Sequence, residues 1–123
     1  MEAGKILTAI REAERDTTGE IRVHVARHFW DPKPEGRALA LFRRYGMSRT
    51  SRRNAVLFYF NLSRRRFALV YDQGFTGVVD DSYWRGLARN LEEDLKCTHY
   101  ENAIALAVRT LGETLKHYFP PDR

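Results

Sequence analysis

Apolar residues recur along this chain in two rhythms. Ala3, Ile6, Leu7, Ile10 and Ala13 fall three or four apart, which predicts a first helix from about Glu2 to Asp16, with Gly19 beyond its last turn. From Glu20 to about His28 the rhythm becomes strict alternation. Ile21, Val23 and Val25 project to one side and Arg22, His24, Ala26 and His28 to the other, as in a half-exposed strand. The segment WDPKPEG reads as a loop, because Pro32 and Pro34 disfavour helix in the residues before them. Ala38, Leu41, Phe42 and Tyr45 then mark a short helix stopping at Gly46.

The stretch NAVLFYFNL, Asn54 to Leu62, is apolar on both faces, which predicts a strand at the centre of a covered sheet. A turn at Ser63 and Arg64 leads into RFALVYD, Arg66 to Asp72, its antiparallel neighbour. QGFTGVVDD is a loop. Trp84, Leu87, Ala88, Leu91 and Leu95 define a third helix with Asp81 or Ser82 as N-cap. Ile104, Ala107, Val108, Leu111 and Leu115 define a fourth, closed by Pro120 and Pro121. The order predicts an α/β fold in one domain, residues 1–123: a mixed sheet of three to four strands with helices on both faces.

Composition adds limits rather than chemistry. The 43% apolar and 30% charged residues suit a soluble globular domain. No run reaches the roughly 20 apolar residues of a membrane span. The N-terminus is amphipathic and broken by charge, unlike a secretory signal, and Cys97 is the sole cysteine, so a reducing, cytoplasmic setting is expected. Cys97 reads as a packing residue on a helix end.

Charge is distributed unevenly. Between Gly36 and Tyr71 stand nine arginines and no acid, whereas the remaining chain holds 12 basic against 16 acidic residues. An anionic ligand is therefore expected at Arg49, Arg52, Arg53, Arg64, Arg65 and Arg66. Nucleic acid fits less well. The two arginine clusters flank nine residues of strand and so stand roughly 30 Å apart, and the nearby aromatics are better used as core.

Candidate chemistry is sparse. His24 and His28 share a strand face, but four extended residues hold them roughly 13 Å apart, too far to chelate one zinc, so independent titration is expected. GFTG at Gly74 to Gly77 lacks the Lys-Ser/Thr of a phosphate loop, and Glu92, Glu93 and Asp94 occupy the polar half of a helix. Asp72 ends the third strand, and Asp80 and Asp81 open the next helix across a seven-residue loop. Folded back, that loop would gather three carboxylates with loop carbonyls, donors suited to calcium or magnesium. Helix capping by Asp81 and a favourable dipole for Asp80 explain two of them equally well. No organic cofactor is indicated, and no nucleophile stands with an activating base.

The runs TTGEIRVHV, RRNAVLFYFNLSRRRFALVYDQGF, DDSYW and LGETLKHYFP together resemble the TPM domain family, named after a thylakoid lumen protein, a photosystem II repair protein and a modulator of nicotinic receptors. The resemblance extends from about Ile6 to Pro120. Its strongest element runs from Asn54 to the exit Asp72-Gln73-Gly74-Phe75. It implies an α/β sandwich, a site for calcium or another divalent ion in the acidic loop region, and the weak acid phosphatase activity of the thylakoid branch. Asp72, and less closely Asp80 and Asp81, match positions for such a site. Many relatives carry a signal peptide and a membrane anchor, features this chain is expected to lack. The leading expectation is an interaction module that assembles or repairs a protein complex, with a protein partner and a bound divalent ion. The alternatives are a metal-assisted phosphatase in which Arg53 steadies the phosphate, and a polyanion-binding domain.

Overall fold

The computed structural model describes residues 2–30 and 33–122. It divides into two compact units, one of residues Glu20–Phe75 and one of the chain on either side. The first unit holds the sheet. β1 (Glu20–Ala26) pairs in parallel with β2 (Ala55–Asn61), and β2 pairs antiparallel with β3 (Arg66–Tyr71), so β2 is central. Ile21 stands opposite Val56, Ala26 opposite Asn61, and Asn61 also opposite Arg66.

Every residue of β2 is buried. On one face Ala55, Leu57 and Tyr59 meet Ala38, Leu41 and Phe42 of the crossover helix α2 (Pro34–Arg44) together with Met47. The alternate residues Val56, Phe58 and Phe60 are no more than 2% exposed. Phe60 stacks on its cross-strand partner Phe67, ring centroids 5.8 Å apart. A strand that is apolar on both faces from Ala55 to Phe60 has no face it can give to water, and here it gives none.

The second unit contains α1 (Glu2–Arg15), α3 (Asp81–Cys97) and α4 (Tyr100–Tyr118). α4 buries Ile104, Val108, Leu111 and Leu115 along one stripe, and α1 buries Ile6, Ala9 and Ala13. α1 and α4 approach closely enough that a Cβ at Gly112 would lie 2.7 Å from the Ala13 Cβ. Thr17 fastens this pair by donating its hydroxyl to the Phe119 carbonyl, which also accepts from the Thr18 amide.

The α/β class, the mixed sheet and the strand order agree with the sequence reading, at the lower strand number. Three local readings change. The segment read wholly as loop contributes the start of α2: Pro34 is its first residue, where a missing N–H costs nothing and a fixed φ suits the helix. Asp31 and Pro32 of that segment lie outside the described residues. β1 stops at Ala26 rather than His28, because β2 ends at its partner Asn61 and the Leu62 amide closes on the Ala26 carbonyl at 2.9 Å. The N-cap of α3 is Asp80, whose carbonyl receives the Tyr83 amide, one position before the expected Asp81 and two before Ser82.

Candidate functional site

Asp72 lies directly after β3 and is 8% exposed. Its amide extends the ladder by donating to the Ala55 carbonyl at 3.1 Å. Its carboxylate is engaged on both oxygens. The Arg53 guanidinium donates through Nε to Oδ2 at 2.7 Å and through Nη2 to Oδ1 at 2.9 Å, and the Gln73 amide donates to Oδ1 at 2.8 Å. Burial alone would raise the pKa of this carboxyl. The Arg53 hydrogen bonds, the Gln73 amide and the nearby positive charge outweigh it, and the pKa lies below the ordinary aspartate value.

Backbone geometry explains why the pair forms. Arg53 has φ +52°, an unusual conformation for a residue with a side chain. Its carbonyl accepts the Gly74 amide at 2.8 Å. A Cβ at Gly74 would sit 2.2 Å from the Arg52 carbonyl oxygen and 2.4 Å from that of Arg53, so only glycine permits this approach. Phe75 then buries its ring edge-on to Tyr71. The Asp-Gln-Gly-Phe motif is thus a clasp that closes the exit of β3 on the entry to β2.

Asp80 and Asp81 belong to the helical unit, at the start of α3, and both are exposed. Ser82 donates its hydroxyl to Asp80 Oδ2 at 2.8 Å, and that bond is the main reason the Asp80 pKa is lowered. Among the described residues no three His, Cys, Asp or Glu side chains are gathered around one point. The donors at Asp72 do not fit a resident cation, because an ion there would have to displace a bidentate guanidinium. Arg53, expected to steady a phosphate, donates to both carboxylate oxygens of Asp72. Arg49, Arg52 and Arg53 precede β2 and Arg64, Arg65 and Arg66 follow it, so the two clusters stand at opposite ends of the strand.

His24 is not simply solvated. Its Nδ1 lies 2.8 Å from the Tyr45 hydroxyl, its ring stacks on Tyr59, and the Arg22 guanidinium sits 4.2 Å from the Tyr45 ring centroid. Burial chiefly, then the charge of Arg37 and that of His28, lower its pKa.

The carboxyl ends of the parallel strands β1 and β2 carry a feature that the sequence reading passed over. Phe29 and Trp30 are 76% and 84% exposed. Their loop is nevertheless fixed at its base. Asn61 Nδ2 donates to the His28 carbonyl at 2.9 Å, and Arg64 Nη1 donates to the Phe29 carbonyl at 3.2 Å. The available signal was two large aromatics directly after the alternating segment and before a proline-containing loop. In the helical unit, a cleft between α3 and α4 holds about 190 Å³, below the range of ordinary small-molecule pockets.

No curated protein matches this sequence. Several solved structures share its fold, among them two NMR structures. The NMR structure of the BA42 protein from the psychrophilic bacterium Bizionia argentinensis shares 30% identity with a TM-score of 0.89, over 99% of this chain and 83% of that one. The solution structure of the N-terminal domain of the cg2496 protein from Corynebacterium glutamicum shares 12% identity with a TM-score of 0.72, over 93% and 71% of the two chains, a likeness of fold alone. The family profile of the TPM domain matches residues 1–114, and the chain belongs to that family.

Proposed function

We propose that this chain is a non-enzymatic interaction module of the TPM type, docking through the carboxyl ends of β1 and β2. The observation that supports this reading is the exposure of Phe29 and Trp30 above a hydrogen-bonded base. Aromatic and arginine side chains dominate the energetics of binding surfaces, and large exposed rings gain most by leaving water. In open sheets with parallel strands, ligands also gather outside the strands' carboxyl ends. At the other end of β2 the polar groups of Asp72 are already matched within the chain, which favours a structural use of Arg53 and Asp72 over catalysis.

The experiment sets the module against the alternatives. The purified chain should show no hydrolysis of a generic phosphomonoester with calcium, magnesium or chelator. Chelator-sensitive turnover that vanishes in a folded Asp72→Asn protein would replace this reading with the metal-assisted phosphatase. The divalent-ion reading has a separate measurement. A site with a Kd of about 10⁻⁴–10⁻³ M would raise the melting temperature at about 10 mM calcium. No rise is expected, in wild type or in Asp72→Ala.

A further inference from the structure

The exposed aromatic pair stands in a particular electrostatic setting. The turn after β2 carries Arg64 and Arg65, both exposed, with Arg65 at φ +52°. Arg64 ties that turn to the aromatic loop through the Phe29 carbonyl. Lys33, also exposed, follows three residues after Trp30. Among the described residues of the two loops, 27–30 and 61–66, there is no acid. Asp31 follows Trp30 in the sequence and lies outside the described residues. Two rings standing in water beside cationic groups form a surface with one apolar and one positive component.

We infer that this end docks on an anionic phospholipid surface, with Trp30 and Phe29 entering the headgroup region and the arginines meeting lipid phosphates and carboxylates. The inference rests on the reading of this end as the docking surface and names its partner. Two rings 76% and 84% exposed would each need a cavity in a protein partner. A bilayer interface accepts them without one, and tryptophan favours that depth because its ring is apolar and its N–H polar. Charge complementarity selects the lipid: arginines near an anionic leaflet are attracted, an attraction that fades beyond a Debye length. Neither signal alone gives more than marginal binding, so both are needed and the attachment is reversible.

The chain's two tryptophans make the test direct. Trp84 is 5% exposed and supplies a constant background, whereas Trp30 reports its surroundings. Intact protein is mixed with vesicles of phosphatidylcholine, alone or with about one-third phosphatidylserine, and followed by tryptophan emission and co-sedimentation. A blue shift and sedimentation are expected with the anionic vesicles only, reversed by about 0.5 M salt. Phe29→Ser with Trp30→Ser should lower the bound fraction at least tenfold, and Arg65→Gln about fivefold, with melting temperatures unchanged.

Equal binding to neutral vesicles would overturn the proposal, as would sedimentation indifferent to the aromatic substitutions. A Trp30 shift produced by single-stranded oligonucleotide and not by vesicles would also overturn it, while leaving this end as the docking surface. Phosphomonoester turnover lost in Asp72→Asn, by contrast, would remove the non-enzymatic reading and leave the vesicle result standing.

Discussion

The two ends of β2 use similar residue types in opposite ways. At its entry, Arg53 meets the buried carboxylate of Asp72, and Gly74 lets the chain close against the Arg53 carbonyl. At its exit, among the described residues, the Arg64 guanidinium donates to a backbone carbonyl, and Phe29 and Trp30 remain in water. A charge matched inside the fold is unavailable to a ligand, whereas an exposed cation beside exposed rings costs little stability and keeps its binding free energy for a partner. Substitutions at the entry should therefore be read in stability and those at the exit in binding.

The largest effect should come from the strand that joins the two ends. Phe58→Ala should cost about 3–5 kcal/mol in urea denaturation, since the ring is fully buried. A loss below about 1 kcal/mol would mean that the strand is not the centre of the core. Next comes the clasp. Gly74→Ala should cost about 1–3 kcal/mol or more, because the added methyl meets two carbonyl oxygens that belong to the backbone and cannot swing away.

The Arg53–Asp72 pair should lose stability asymmetrically. Arg53→Ala leaves a buried carboxylate without its guanidinium, whereas Asp72→Ala leaves a guanidinium with a side chain 41% exposed to water. Unfolding midpoints should fall further for Arg53→Ala, and the reverse order would undo the clasp argument. The same pair sets an acid dependence. The pKa of Asp72 is lowered in the folded protein, so its contribution is full above the unfolded carboxyl value of about 3.9 and is lost as pH falls through the folded value. Urea midpoints of wild type and Asp72→Asn should converge across that window, and parallel profiles would contradict it.

The smallest effect belongs to the exit. Trp30→Ala should change stability by no more than about 0.5 kcal/mol, as at other exposed positions. A larger loss would mean that the ring packs within the fold and is not held for a partner.

Periodicity along the chain was enough to determine four helices, the central position of β2, its antiparallel partner and the α/β class, because each depends on which neighbours share a face. Composition likewise excluded a membrane-crossing helix, and none of the described helices is long and apolar enough to be one. Only the tertiary structure decided the use of Asp72. Its partner Arg53 lies 19 positions earlier, and no local pattern reports a pairing made by a hairpin and a left-handed residue. The Asp-x-Gly motif was visible as a motif, but its cause is a backbone approach that exists only once β2 and β3 are side by side. The same holds for the limit of β1, set by the length of its neighbour, and for Phe29 and Trp30. Apolar rings in a sequence predict burial. Their exposure here is a property of the surface that folding left around them.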